Sequence, residues 1–240
     1  MPQSFFIWNG VDCRSKGIIL RGPVPIVRPE ERVRHKEIPG VPGDLTELEG
    51  EDVYNSYIQT ASITVSGAFN VREVNRWLRG AGYVTFSGEP DRRQKARVIG
   101  AVTLNKVSRN LDKWTGECQF YCQPFKELLY PESVTVSSSG GTVRNNGDVK
   151  SHPRITANGA AAGSVIVITS GGKTFTVDMT DMEDTGCVID CETQMVMNYS
   201  GTANLTMLSS GDFPILDIGE NTFTGSGWSS LVFDKKERYL

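Results

Sequence analysis

In short stretches of this chain, apolar residues fall at every second position, and a turn residue closes nearly every stretch. In Gly116–Cys122, for example, Cys118, Phe120 and Cys122 alternate with Glu117, Gln119 and Tyr121. A period of two puts each set of side chains on its own face of a strand. Ser4–Trp8, Gly17–Arg21, Tyr57–Val65, Tyr83–Phe86 and Ala96–Val107 read as strands in the first half. Ser133–Val136, Arg154–Thr156, Ser164–Thr169, Lys173–Met179, Cys187–Cys191, Met195–Asn198, Phe213–Leu216, Asn221–Ser226 and Ser229–Phe233 follow in the second. Asn9-Gly10, Asn158-Gly159 and Ser170-Gly171-Gly172 are turn signals between them. Strands this short and this closely spaced predict an all-β chain of antiparallel sheets. One helix is predicted, Val71–Arg79, capped by Asn70 and ended by Gly80, with Val71, Val74, Trp77 and Leu78 as its apolar stripe.

The composition changes near Pro131, from a charged segment to one rich in Ser, Thr, Gly and Val. This predicts two domains, residues 1–130 and residues 131–240, the second an antiparallel sandwich. Residues 1–130 carry 18 Lys/Arg against 15 Asp/Glu, and residues 131–240 carry 7 against 13. Neither half has the dense basic stripe that phosphate binding requires, so nucleic acid is not an expected partner. No apolar run is long enough to cross a bilayer, and the first ten residues lack the basic-then-apolar pattern of a secretory signal. The expectation is a protein made and kept in a cytoplasm until it joins something larger, with no membrane partner.

Between the second strand and Tyr57 lies a long excursion, Gly22–Asp52, with Pro23, Pro25, Pro29, Pro39 and Pro42. Proline at this density removes ladder donors and prevents helix, so the segment reads as an extended, irregular arm. Fixing one residue costs roughly 1–2 kcal/mol of backbone entropy, and contact with a neighbouring subunit offsets such a cost. The arm is therefore expected to be an assembly element. Its charges, among them Arg28, Arg32 and Arg34, suit a polar interface around a few apolar anchors.

Signals for chemistry are weak. The two histidines, His35 and His152, have no Ser or Cys in a recognisable nucleophile setting. Gly171-Gly172-Lys173-Thr174 resembles the end of a phosphate loop, but Val167 stands where the first Gly is needed. The spacings Cys118-x3-Cys122 and Cys187-x3-Cys191 place each pair on one strand face as buried thiols, whereas zinc sites favour closer pairs. Asp178, Asp181, Glu183 and Asp184 lack the spacing of a calcium loop. Glu89 and Asp91 flank Pro90 in a charged turn followed by Arg92 and Arg93, a surface on which a neighbour can dock. The chain is expected to be no enzyme and to carry no cofactor and no metal.

The succession of short motifs is more telling than any one of them. A short aromatic strand ends in Asn9-Gly10, and the arm carries Glu37-Ile38-Pro39-Gly40-Val41-Pro42-Gly43-Asp44-Leu45. The lone helix with Trp77-Leu78 follows, then Gly88-Glu89-Pro90-Asp91-Arg92 and Gly116-Glu117-Cys118-Gln119-Phe120-Tyr121-Cys122-Gln123-Pro124-Phe125-Lys126. The chain closes with Gly219-Glu220-Asn221-Thr222-Phe223-Thr224 and Arg238-Tyr239-Leu240. In this order, over nearly the whole chain, the sequence resembles the distal tail proteins of siphophages that infect Gram-positive hosts, and their prophage relatives. It departs from them in the arm, where Val41-Pro42 replaces the more usual Arg-Asp.

The resemblance implies a hub of the tail tip or baseplate, built as a homohexameric ring and assembled in the host cytoplasm. The N-terminal β domain would be a sandwich or barrel-like ring former, and the C-terminal domain a galectin-like sandwich. Partners would be the chain itself, the tail tube protein, the tail-associated lysin and tape-measure complex, and a receptor-binding protein. Pro39, Gly40, Pro42, Gly43 and Asp44, with Arg28, Arg32 and Arg34, are the expected subunit contacts. The alternative is a carbohydrate-binding module whose C-terminal sandwich holds host surface glycans. Tyr199 and Trp228, with Phe223, would then be candidate aromatic platforms.

Overall fold

A computed structural model of the chain describes residues 4–160, 163–180 and 185–240, and of residues 68–70 the backbone alone. The chain divides into two compact units, one running to Leu129 and including Leu240, the other Tyr130–Tyr239.

In the first unit the alternating stretches become β1 (Phe6–Trp8), β2 (Val11–Asp12), β3 (Ile18–Leu20), β4 (Val33–Glu37), β5 (Asp44–Leu48) and β6 (Tyr57–Ser66). The helix α1 (Ala68–Trp77) follows, then β7 (Ala81–Phe86), β8 (Arg92–Ile99), β9 (Leu104–Ser108) and β10 (Leu111–Leu128). The main sheet runs β2-β1-β7-β8-β10-β6-β3, with β9 also paired to β10. All its pairings are antiparallel. Asn9 and Gly10 both take left-handed φ, +49° and +78°, which gives the β1–β2 turn the twist of its strands. Pro124 lies where the register of β10 on β8 shifts, between Cys122 and Lys126. A residue with no N–H is tolerated where the ladder is already broken.

One face of this sheet is closed. Phe120 lies at its centre, with ring centroids of Phe6, Trp8 and Phe86 at 5.3, 5.5 and 5.7 Å. Trp77 of the helix stacks on Phe6 at 5.8 Å, and Val74 and Leu78 are buried in the same core. Aromatic pairs at such distances contribute about 0.5–1.5 kcal/mol each beyond area burial.

The second unit holds β11 (Ser133–Ser137), β12 (Gly141–Asn145), β13 (Arg154–Asn158), β14 (Val165–Ser170) and β15 (Lys173–Asp178). It continues with β16 (Gly186–Asp190), β17 (Met195–Asn198), β18 (Ser209–Gly211), β19 (Gly219–Ser226) and β20 (Ser230–Asp234). Two five-stranded sheets result, β11-β20-β13-β16-β17 and β12-β19-β14-β15-β18. Their inner faces share one core, and Phe223 of one sheet meets Phe233 of the other at 4.6 Å.

The chain is thus all-β with one α-helix among the described residues, as the alternation requires. Four local expectations change. The helix begins at Ala68, not Val71, with Gly67 at its N-cap, so Asn70 lies inside it. The single strand read over Ala96–Val107 is two strands, because Gly100 at φ +69° turns the chain between them. Gly141–Asn145 is a strand despite its Gly and Asn content, paired along its length with β19. Phe213–Leu216 is not a strand: it is held by the bridge of Leu216 to Ser151, and Ser209–Gly211 takes the sheet edge.

Candidate assembly interface

The arm leaves the first unit's core at Val24, which is buried, and is tied there by Gln59, whose Nε2 donates to the Pro25 carbonyl at 3.0 Å. Every residue from Glu30 to Glu51 is exposed. Within this stretch the expectation of irregular chain is corrected. The strands β4 and β5 pair from Val33↔Leu48 through His35↔Thr46 to Glu37↔Asp44, a hairpin of its own. The alternation Val33-x-His35-x-Glu37 and Asp44-x-Thr46-x-Leu48 was the available signal, and the prolines masked it. They do not break the ladder, because Pro39 and Pro42 fall in the connecting turn and the other three precede β4. Gly40 and Gly43, at φ +83° and +86°, turn the chain at the tip.

The base of the hairpin is fastened by backbone bonds. Arg32 N donates to the Val53 carbonyl at 2.9 Å, Glu49 N to Arg32 O at 3.1 Å, and Asn55 N to Glu30 O at 2.8 Å. Glu49, not singled out from the sequence, lies 3.1 Å from Arg34 and 3.9 Å from Arg32. Arg32 Nε also donates to Asn55 Oδ1 at 3.2 Å. Two of the three expected interface arginines are therefore partly neutralised within the arm, while Arg28 stands ahead of it, exposed. Pro39, Gly40, Pro42, Gly43 and Asp44 come together at the exposed far end. Val33, Ile38, Val41, Leu45 and Leu48 are 36–63% exposed. A free-standing two-stranded hairpin is marginal in water, and this one buries none of its own apolar side chains.

The other candidates are placed as follows. Glu89, in the charged turn, sets its carboxylate 2.6 Å from Lys126 Nζ and 2.9 Å from Arg92. That turn is an internal anchor of the first unit rather than a free charged surface. Cys118, Cys122, Cys187 and Cys191 are free and buried, and burial pushes each thiol up to about 12. They pack as small apolar groups, since metal binding and nucleophilic chemistry need the thiolate. Asp181, Glu183 and Asp184 lie outside the described residues. Asp178 is exposed and accepts from Thr180 N at 3.0 Å. His152 is half-buried, and burial first, then the charge of Arg238, lowers its pKa.

Of the candidate sugar platforms, only Tyr199 is open, at 59% exposure. Trp228 is 5% exposed, and its indole N–H donates to the Val167 carbonyl at 2.8 Å. Phe223 is wholly buried. Both belong to the sandwich core, which claims large aromatics first, and neither offers a face for stacking.

No family model matches the sequence, and no curated protein matches it. Solved structures do match. The Dit protein (gp 19.1) of SPP1, described as a paradigm of the hub adsorption apparatus in Gram-positive infecting phages, superimposes with a TM-score of 0.80. It is 18% identical, and the match covers 99% of each chain. A chain of the phage P2 baseplate, in its activated conformation, matches with a TM-score of 0.50 at 7% identity, covering 99% of this chain and 98% of that one. From end to end, the chain has the fold of a Dit-type phage tail hub protein.

Proposed function

We propose that the chain is a structural, non-catalytic hub of a phage or prophage tail tip, where it forms a homo-oligomeric ring, most simply a hexamer. The observation that carries this reading is the end-to-end match to a hub protein at a TM-score of 0.80. The exposed hairpin supports it independently. A segment with five exposed apolar side chains and no core of its own gains stability by meeting another surface. The ring would connect the tail tube protein to the tail-associated lysin and tape-measure complex and to receptor-binding proteins. The first unit would build the ring and the second, a galectin-like sandwich, would carry the outer attachments. Assembly would take place in the host cytoplasm, and the mature site would be the virion tail tip.

The test is the mass of the purified full-length chain in solution, by light scattering and native mass spectrometry. A closed oligomer at micromolar concentration is expected. A chain that stays monomeric at every accessible concentration, alone and with tail tube protein, would remove the ring. Immunogold labelling of particles should mark the distal end of the tail.

A further inference from the structure

The last five residues of the second unit, Lys235–Tyr239, follow β20 as a strap outside any named strand. Its side chains alternate: Lys235, Glu237 and Tyr239 are buried, and Lys236 and Arg238 are partly exposed. With no strand ladder of its own, the strap is held largely by charged side chains. Lys236 Nζ lies 3.2 Å from Asp190 Oδ2 and 3.6 Å from Glu192 Oε2, and Arg238 Nη2 lies 3.3 Å from Glu192 Oε1. The turn that carries both carboxylates is itself fixed, since Asp190 Oδ1 accepts from the amides of Glu192 and Thr193 at 3.1 and 3.2 Å. The Arg238 carbonyl accepts from Asp148 N at 2.9 Å. Lys236 sits at φ +45°, a strained value for a residue with a side chain, which persists only while its surroundings hold it.

His152 lies beside these ion pairs. Its own segment is tied to the carboxylate turn, where Cys191 N donates to the Pro153 carbonyl at 3.1 Å. Four charges act on the ring from the two elements around it: Asp190 and Glu192 from the turn, Lys236 and Arg238 from the strap. Asp148, Lys150 and Arg154 flank it on its own segment, and Arg154 is cross-strand to Asp190 and Asp234. The two carboxylates of the turn are already engaged by the two cations of the strap. His152 Nδ1 is buried and has no hydrogen-bond partner among the described residues. A neutral imidazole tolerates this, because one of its nitrogens carries no hydrogen. A protonated ring carries hydrogen on both, and a buried donor without an acceptor is costly. The closed strap therefore favours the neutral ring, as do burial and then the Arg238 charge, which lower its pKa from the ordinary 6.5.

We propose that the strap is a latch that opens on acidification, with His152 as its trigger and the pairs of Lys236 and Arg238 with Asp190 and Glu192 as its catch. In the open form the ring meets water and takes up a proton without the burial penalty. Over the range between the two pKa values the open form binds more protons than the closed one. The stabilisation of the closed form is therefore complete above 6.5 and declines as pH falls from there. His152 is the only histidine of the second unit, since His35 lies in the arm. The carboxylates act lower. Burial raises the Asp190 and Glu237 carboxyls, but the hydrogen bonds they accept outweigh it and hold both below their ordinary 3.8 and 4.5. The two events are thus separable on the pH axis.

The experiment is hydrogen exchange of the full chain at the Asp148 amide, the donor to the strap's Arg238 carbonyl, corrected for the intrinsic pH dependence of exchange. Between roughly pH 8 and 5 its protection should fall, while the amides of β13 and β20 stay protected. His152→Gln, which cannot titrate, should keep that protection over the same range and lose it only where the carboxylates titrate. The ring proton resonance of His152, assigned against His35→Gln, should titrate below 6.5. Protection at Asp148 that is flat across the range in the parent chain would overturn the latch. So would a loss that persists unchanged in His152→Gln, since the trigger would then lie elsewhere. If that variant does not fold, the parent still decides. A ring resonance that titrates at or above 6.5 means that the closed strap does not disfavour the charged ring, and the proposal is wrong. The hub reading stands in every case, because none of these measurements reads assembly.

Discussion

Lys126 Nζ lies 2.6 Å from Glu89 Oε2, with the lysine side chain 7% exposed and the glutamate 20%. The same ammonium donates to the Leu240 carbonyl at 3.3 Å, and the same carboxylate holds Arg92. The pair joins the turn before β8 to the irregular part of β10, where Pro124 interrupts the ladder. A side-chain tie is of most use where backbone bonds are missing.

Glu89→Ala should therefore destabilise the first unit by about 3–5 kcal/mol, because it leaves a buried ammonium without its counter-charge. Lys126→Met on that background should recover part of the loss, since a buried charge is removed and the aliphatic stem is kept. The midpoint of urea unfolding measures this, followed by tryptophan fluorescence, with Trp8, Trp77 and Trp114 reporting on the first unit. If Glu89→Ala leaves that midpoint unmoved, the pair is not a structural anchor.

Glu237 gives the second unit a pH-dependent element. Its Oε1 accepts from Asn146 N at 2.9 Å and from Lys235 Nζ at 2.6 Å, and its Oε2 from the Tyr239 hydroxyl at 2.8 Å. Burial alone raises its pKa, but these bonds and the Lys235 charge outweigh it and hold the carboxyl below its ordinary 4.5. The folded form thus keeps its charge at pH values where the unfolded chain takes up a proton. The stabilisation is complete above the unfolded pKa and is lost as pH falls through the folded one. Glu237→Gln should cost about 1–3 kcal/mol at pH 7. The gap between variant and parent should shrink as pH drops below 4.5. Because Asp190 is also held below its ordinary value, only the difference between variant and parent isolates Glu237. Unfolding curves at pH 7, 5, 4 and 3 would show whether the gap closes.

Trp228 shows what the sequence could and could not say. The sequence makes it a candidate sugar platform, although a sandwich core uses aromatics first, because composition does not tell which residues of a strand end meet the second sheet. Its hydrogen bond to Val167, on a strand about sixty residues earlier, exists only once the sheet is assembled. Trp228→Phe should cost about 0.5–1.5 kcal/mol by removing its hydrogen bond to the Val167 carbonyl. The alternation of Cys118, Phe120 and Cys122 was legible because a strand's faces are a local matter. The pairing of Gly141–Asn145 with β19, nearly eighty residues away, was not, because register across such a distance leaves no local trace. The arm is legible as an excursion, but its hairpin is hidden by five prolines, all of which lie outside both strands. Its acidic tip pair, Glu37 and Asp44, emerges only with the register.

The hairpin also allows a clean excision. Val33 and Leu48 are its innermost pair, and just inside them the Glu49 amide donates to the Arg32 carbonyl at 3.1 Å. Replacing residues 33–48 by Asn-Gly therefore closes Arg32 to Glu49 with a two-residue turn suited to paired strands. Val24 and Pro29, which are buried, are kept, as are the bonds of Arg32 N to Val53 and Asn55 N to Glu30. No buried side chain is lost, so the melting temperature should stay within a few degrees of the parent. Assembly should fail, since the excised segment carries the five apolar side chains that the arm leaves exposed. Light scattering of variant and parent at equal concentration decides it. A variant that melts like the parent and has the parent's oligomeric mass would make the hairpin a passive loop.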